Sequence, residues 1–156
     1  MASLHSRSLL LILALGLGLP VAVSAQTVTP EISAPVAAEL GKLRELTEAK
    51  TYAPALVLID RLLGAVPADS YDRALLVQIK AQIFLTEGNY AAAIAPLEDA
   101  LRFAERPGFI TESARRDALF LLAQLHQQQA SEAKDPLRQR ASLARAADYL
   151  KRWQAV

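Results

Sequence analysis

YAPALVLIDRLL at residues 52–63 is matched by YAAAIAPLEDAL at residues 90–101, an offset of 38 residues between Tyr52 and Tyr90. Offsets of this size are typical of proteins built from repeated helical hairpins. Both copies have the apolar spacing of a helix, with small residues where a second helix must come close. Neither copy can bury its apolar face alone. The repeat therefore indicates a surface that holds another molecule, and it argues against a catalytic pocket.

The apolar period of 3.6 residues continues along most of the chain after residue 32 and predicts six helices. Each predicted helix starts at a residue type that caps helix N-termini. The predicted helices run from Ser33 to Ala49, from Thr51 to Ala65, from Asp69 to Glu87, from Asn89 to a point before Pro107-Gly108, from Thr111 or Ser113 onward, and from Asp135-Pro136 to Trp153. At the start of the third helix, Asp69 and Asp72 are predicted to form a capping box. No stretch alternates long enough to predict a strand. The fold class is therefore all-α, with three helical hairpins in a row.

Three details of these helices are expected from the pattern. Pro96 lies about six residues into the fourth helix, where a missing N–H and a steric clash predict a kink. One face of the fifth helix is predicted to carry Leu119, Leu122 and Leu125. The last helix is predicted to carry its apolar residues at Leu143, Ala147 and Leu150.

The first 25 residues have the pattern of a cleaved signal peptide. Arg7 precedes an apolar run from Leu9 to Val23, and Val23-Ser24-Ala25 offers small residues for cleavage. The run is shorter than the roughly 20 residues that a membrane-spanning helix needs, although an uncleaved anchor is the alternative. We expect the mature chain to start at Gln26, with a flexible leader over residues 26–32 and a helical domain over residues 33–156.

The amino-acid composition limits the cellular compartments and the classes of partner that are expected for this chain. The 17 basic and 16 acidic residues nearly balance, so the chain lacks the basic excess that favours nucleic-acid binding. It contains no cysteine, so an exported form must be stable without disulfides. Export of such a chain indicates a bacterial periplasm, and secretion remains the alternative. No membrane insertion is expected after signal cleavage.

The middle unit resembles the tetratricopeptide repeat, a 34-residue helix–turn–helix. Ala81, Ala93 and Ala100 match its small positions, Phe84 matches an aromatic position, and Gly88-Asn89-Tyr90 matches its turn. Close packing explains the pattern, because Ala81 and Ala93 let two helices approach while Phe84 and Tyr90 fill the space beside them. The resemblance implies a right-handed α-solenoid of about three such hairpins.

The outer units match this repeat less well. The first keeps Tyr52, Ala55 and Pro67, but has Leu43 and Leu62 at two small positions. The third keeps Leu122-Ala123 in its first helix and carries an insertion at residues 130–140 before its second helix. The fold assignment therefore depends mainly on the middle unit.

A narrower resemblance concerns function. Five segments in this order are similar to periplasmic tetratricopeptide proteins that accompany TonB-type energy-transduction systems: residues 35–37, 52–56, 89–94, 118–126 and 150–153. His126 stands where that family usually has tyrosine, and residues 130–140 are an addition. The resemblance implies a partner in a TonB-type transport complex.

Catalytic residues are scarce. His126 is the single histidine of the expected mature chain, and with no cysteine beside it a zinc site would need carboxylates alone. We expect His126 to replace an aromatic residue between helices. Glu98-Asp99 is an acidic pair, but adjacent helical residues point about 100° apart. No nucleophile, phosphate-loop or dinucleotide motif occurs. The chain is therefore predicted to be no enzyme and to use no metal or cofactor.

In tetratricopeptide proteins the ligand usually lies along the concave face formed by the first helix of each hairpin. Aligning these helices places two rows of side chains at equivalent positions, the first being Arg44, Gln82 and Gln124, and the second Glu48, Thr86 and Gln128. This polar, nearly neutral lining suits hydrogen bonding to an extended peptide, although solvated surface is the plainer interpretation. Trp153 either closes the apolar face of the last helix or anchors a partner.

These observations predict a non-enzymatic periplasmic scaffold that binds an envelope protein or peptide, with a TonB-system component as one candidate. Two alternatives stay open: an adaptor in outer-membrane assembly or peptidoglycan maintenance, and a self-associating repeat protein. The polar residues of the last helix favour a capped monomer. They are Arg138, Arg140, Arg145, Asp148 and Lys151.

Overall fold

The structure, a computed structural model, describes residues 30–156. The helices are α1 (Ala34–Glu48), α2 (Tyr52–Ala65), α3 (Tyr71–Glu87), α4 (Tyr90–Arg102), α5 (Glu112–Glu132) and α6 (Pro136–Gln154). This part of the chain contains no β-strand, which confirms the all-α class. The predicted signal peptide and most of the predicted leader lie outside the described residues. None of the helices α1 to α6 is long and apolar enough to cross a membrane.

Local capping signals located most of the helix starts. The side chains of Asn89 and Thr111 accept hydrogen bonds from the backbone N–H groups three residues later, so Thr111 rather than Ser113 caps α5. Asp135 accepts from the N–H of Leu137, with Pro136 at the first helical position. Thr51 precedes α2 but makes no capping bond, because its hydroxyl donates back to the carbonyl of Leu46.

The predicted capping box at α3 was wrong. Ser70 is the N-cap of this helix, and its side chain accepts from the N–H of Arg73. The exposed Asp69 instead pairs with Arg106 in the segment after α4. Asp72 is buried, and its carboxylate accepts a hydrogen bond from the N–H of Ser33 at 3.0 Å. Asp72 therefore joins α3 to the start of α1 across the fold.

The turns within the first two hairpins have the same backbone conformation. Lys50 and Gly88, which are 38 residues apart in the sequence, both adopt a left-handed conformation, with φ of 56° and 78°. The following residues also agree, Thr51 having φ −87° and ψ 70° and Asn89 φ −85° and ψ 67°. In each turn the N–H of this following residue bonds to a carbonyl five residues earlier. The sequence repeat is therefore also a repeat of backbone geometry.

The core runs through the molecule as connected clusters, and α3 belongs to each of them. Consecutive helices pack on one another along the chain. The first cluster contains residues of α1, α2 and α3. The second contains residues of α3, α4, α5 and α6, and the third contains residues of α3, α4 and the segment after α4. Their central residues are Leu43, Ile59, Leu76 and Ile83 in the first, Ala81, Ala93, Leu119, Leu122 and Tyr149 in the second, and Ala74, Val77 and Phe103 in the third.

Packing confirms some of the expected core positions. Ala81 and Ala93 are buried where α3 and α4 meet, and the predicted α5 face of Leu119, Leu122 and Leu125 is buried. Tyr90, expected to fill space beside the alanines, is 48% exposed instead. Helix α4 continues through the buried Pro96, and the kink there stays a prediction. The 130–140 insertion largely extends the two helices, leaving only residues 133–135 between α5 and α6.

The predicted apolar face of α6 was wrong. Leu143, Ala147 and Leu150 are exposed, whereas Ala146 and Tyr149 are buried against the preceding helices. Helix α6 therefore turns a different side to the core from the one its leucines indicate.

The two equivalent turns allow a paired stability test. A non-glycine residue in the left-handed region costs about 1 kcal/mol, and no atom near Gly88 would clash with an added Cβ. We expect Lys50→Gly to raise the free energy of unfolding by about 1 kcal/mol and Gly88→Ala to lower it by a similar amount. Urea denaturation measures both. Lys50→Ala, which removes the side chain and keeps the strain, is the control, and a gain equal to that of Lys50→Gly would contradict this explanation.

Candidate partner-binding face

A groove between α1 and α3 brings together three of the predicted binding residues. Glu48, Gln82 and Thr86 line a cavity of about 330 Å³. Apolar side chains of α2 and α3 complete its lining, Tyr52, Ile79 and Ile83 among them. The groove thus combines an apolar lining with side-chain oxygens and an amide, which suits a ligand with both apolar and hydrogen-bonding groups.

A second groove lies on the other side of Gln82, between α3 and α5. Its volume is about 230 Å³, and α4 also contributes to its lining. Apolar residues dominate this lining, with Gln78, Gln82 and Asp117 as its polar members; the apolar ones are Ala81, Leu85, Leu97, Ala100, Leu101, Ile110, Ala114, Ala118 and Leu121. Because Gln82 lines both grooves, the α1/α3 and α3/α5 grooves form one face of the molecule. We call it the Gln82 face.

Hydrogen bonds orient the polar side chains of this face. The hydroxyl of Thr86 donates to the carbonyl of Gln82 at 2.8 Å, and the Gln82 amide donates to the Thr86 hydroxyl at 3.3 Å. The Gln82 side-chain carbonyl is thereby left to accept from a ligand N–H. An ion pair between Arg44 and Glu48, 3.6 Å long, is exposed on both sides and contributes little to stability.

The predicted residues on α5 do not line either groove. Gln124 is exposed, and the amide of Gln128 donates to the Glu132 carboxylate at 2.9 Å. Arg44 likewise contributes to neither lining and reaches the face only through its pair with Glu48. Of the six residues in the two predicted rows, Glu48, Gln82 and Thr86 line a groove, and the other three do not.

Trp153 packs against the core instead of standing free. Its ring lies 5.5 Å from the ring of Phe120 on α5, and the guanidinium of Arg116 sits 5.6 Å from the Trp153 ring centre. The indole is partly buried beside the second core cluster. Trp153 thus packs on the same side of α6 as Ala146 and Tyr149, and its role as a partner anchor stays a prediction.

A buried polar cluster joins α4, α5 and α6. His126 is 1% exposed, and its Nδ1 lies 3.1 Å from the Gln129 side-chain oxygen. Its ring stacks on Tyr149 at 5.6 Å with an interplanar angle of 8°. Its Nε2 lies 3.5 Å from Glu98 Oε1 and makes no hydrogen bond within the described chain. The same oxygen accepts from the Tyr149 hydroxyl at 2.9 Å. We call this the His126 cluster.

His126 lies between helices, as expected from the sequence, and its ring stacks on Tyr149 of α6; that it replaces an aromatic residue stays a prediction. Sequence reasoning missed the role of Glu98, because the carboxylate was compared only with its neighbour Asp99. The amphipathic pattern of α4 offered one signal, since Glu98 follows the buried Leu97 directly. Its partners come from α5 and α6, and nothing local in the sequence links them.

The chemistry available to the His126 cluster is limited by access. His126 contributes to the lining of a cavity of about 440 Å³ together with Gln129, Arg138 and Arg145, but the imidazole is almost fully buried and its Nε2 is enclosed. Within residues 30–156, no group of three or more histidine or acidic side chains is placed to hold a metal ion. The observed contacts tie three helices together at one point.

Comparison with protein-family models, with curated protein sequences and with solved structures gave no match for this chain. The geometry of the grooves and clusters therefore carries the functional argument.

The Tyr149 hydroxyl provides a test of the His126 cluster. Burial, the hydrogen bond to Glu98 and the charge of that carboxylate raise the pKa of Tyr149 from 10.0 to about 12. Because the raised pKa belongs to the folded state, the stabilisation is fully present below pH 10 and is lost as pH rises towards 12. We expect Tyr149→Phe to make the free energy of unfolding less dependent on pH across this interval, as measured by urea denaturation. The exposed Tyr90→Phe should retain the wild-type dependence, and an equal slope in Tyr149→Phe would disprove the assignment.

Proposed function

We propose that this chain is a non-enzymatic helical-repeat scaffold that binds another protein or peptide along the Gln82 face. The main support for this proposal is the position of Gln82, which lines both the α1/α3 groove and the α3/α5 groove. A ligand that follows the face from one groove to the other passes this side chain. The amide offers both a donor and an acceptor, which matches the alternating N–H and C=O groups of an extended peptide.

The proposed architecture is a right-handed α-solenoid of about three tetratricopeptide-like hairpins. Two observations support it. The turns at Lys50 and Gly88 share one backbone conformation at the spacing of the sequence repeat, and each helix packs on the next along the chain. In a solenoid of this kind the first helices of successive hairpins line one continuous face. The grooves beside Gln82 lie between α1, α3 and α5, which are those helices.

The electrostatics of the face favour a neutral ligand over a charged tail. Glu48 is offset by Arg44, and Asp117 is the only other charged group among the two groove linings. The apolar lining of the α3/α5 groove provides room for an aliphatic or aromatic side chain of the ligand. We therefore propose an extended peptide segment with at least one apolar side chain as the partner element.

The proposed setting is the bacterial periplasm, to which residues 1–25 would direct export as a signal peptide before being cleaved. On the resemblance of five sequence segments, the proposed partner is a component of a TonB-type transport complex. The same scaffold would serve outer-membrane assembly or peptidoglycan maintenance equally well, so identification of the partner decides between these processes. The chain acts as a monomer in this proposal.

The binding face is tested by a double substitution. We expect Gln82→Ala with Thr86→Ala to weaken partner binding about tenfold, because hydrogen bonds to the ligand are lost. Both side chains are exposed, so the melting temperature should stay unchanged. The measurement is quantitative affinity capture from detergent-solubilised envelopes, with Gln127→Ala on α5 as the matched surface control, because Gln127 is exposed and lines neither groove. Unchanged capture by the double variant would disprove binding at the Gln82 face.

Two further comparisons define the extent and setting of the site. Gln124→Ala with Gln128→Ala tests whether the ligand continues over α5, beyond the residues that line the grooves. Mass spectrometry of the captured proteins tests the TonB proposal. Enrichment of motor components that depends on Gln82 supports it, whereas Gln82-dependent enrichment of a different envelope complex would replace it and retain the scaffold.

A further inference from the structure

The outer side of α6 carries an apolar stripe that stays partly exposed in the folded chain. Leu143 is 48% exposed and Leu150 is 40% exposed, and Ala147 between them is exposed as well. Spacings of four and three residues put these side chains on one side of the helix. On the helix circumference the stripe lies about a quarter turn from the buried Ala146 and Tyr149. It is therefore separate from the side that α6 uses within the fold.

The profile of the stripe fits another helix. Ala147 forms a low point between two leucines, and small residues at such points let helix backbones approach closely. The chain uses the same device internally, where the buried Ala81 and Ala93 lie between α3 and α4. A lipid surface adapts to any side-chain profile and gains nothing from the alanine. The shape thus favours a helical partner over a membrane.

The charged residues beside the stripe indicate which charge the partner should carry. Helix α6 has one acidic residue, Asp148, and five basic ones, Arg138, Arg140, Arg145, Lys151 and Arg152. Asp135, Glu98 and Asp148 lie within 4.0 Å of Arg138, Arg145 and Arg152 respectively.

Arg140 and Lys151 are exposed and form no ion pair within residues 30–156. Arg140 precedes Leu143 by about one turn, and Lys151 adjoins Leu150. Both lie on the same flank of the stripe, about 16 Å apart along the helix axis. A partner with acidic residues at this spacing would pair with both cations while burying the leucines.

A second copy of the chain is a poor match for this surface. Two α6 helices packed antiparallel through the stripe would bring their basic flanks together, and like charges across an interface cost binding energy. Asp148, the one acidic residue of α6, already lies 3.8 Å from Arg152 of its own helix. We propose that the outer side of α6, over Leu143, Ala147 and Leu150, docks an acidic amphipathic helix of a partner protein. This site goes beyond the Gln82 face and does not share residues with it.

The test uses a synthetic probe. A fluorescein-labelled helical peptide carries leucines on one face and two glutamates eleven residues apart on its flank, and its binding to the purified protein is followed by fluorescence anisotropy. We expect saturable binding that weakens as salt is added. A peptide with lysines in place of the glutamates should not bind. Equal binding of the two peptides would overturn the proposal.

Substitutions locate the site. We expect Leu143→Gln with Leu150→Gln to lower the affinity for the acidic peptide about tenfold or more, since buried apolar anchors dominate helix docking. Arg140→Gln with Lys151→Gln should weaken binding and reduce its salt dependence. Leu137→Gln is the matched control, because Leu137 is 74% exposed on the same helix but off the stripe. All of these positions are exposed, and circular dichroism should show unchanged folding.

The remaining outcomes assign the surface to another occupant. Sedimentation that shows a dimer dispersed by Leu143→Gln with Leu150→Gln would overturn the proposal in favour of self-association. Binding to phosphatidylserine vesicles that this double variant abolishes, without binding of the acidic peptide, would overturn it in favour of a lipid surface. Gln82→Ala with Thr86→Ala should leave peptide binding intact, so failure of the Gln82 face and failure of this site are distinguishable.

Discussion

The burial of α3 on several sides is the constraint on which the rest of the molecule depends. Leu76 and Ile83 point into the cluster with α1 and α2, Ala81 belongs to the cluster with α4, α5 and α6, and Ala74 belongs to the third. Since one helix serves all three clusters, its neighbours on either side are held at fixed positions relative to one another. The two grooves of the Gln82 face follow from this position of α3. One is the space between α3 and α1, and the other is the space between α3 and α5. A long exposed glutamine on α3 is thereby placed at the junction of both.

A polar contact adds to the apolar packing of the C-terminal hairpin. The Tyr149 hydroxyl bonds to Glu98 on α4, and its ring stacks on His126 of α5. These contacts hold the side of α6 that carries Ala146 and Tyr149 against the fold. Hydrogen bonds to a charged carboxylate are stronger than neutral ones, and leaving the buried Tyr149 without an acceptor would be costly. The leucines of α6 are consequently displaced to the outside, where they form the stripe beside Arg140 and Lys151.

The two proposed surfaces differ in the chemistry of their partners. The Gln82 face consists of two grooves with a nearly neutral and partly apolar lining, and it suits an extended peptide that needs hydrogen bonds along its backbone. The outer side of α6 has a stripe of two leucines and an alanine with basic residues on one flank, and suits an acidic helix. If both proposals hold, the chain can bind two partners, or two segments of one partner, at once.

Local signals in the sequence determined the helices, and the tertiary structure decided which of their faces are buried. Asn89, Thr111 and Asp135 located three helix starts, because a capping bond joins residues within one turn and depends on nothing distant. The repeat around Tyr52 and Tyr90 likewise anticipated two matching turns. The side of α6 that is buried could not be predicted from such local signals. Its leucines formed the most obvious apolar face, but the side that is buried carries Tyr149, which packs in the second cluster and bonds to Glu98, 51 residues earlier. Asp72 was assigned to its own helix for the same reason, although it bonds to Ser33. Periodicity and capping act over a few residues, whereas the cost of burying an unpaired polar group is set by helices that meet only in the folded chain.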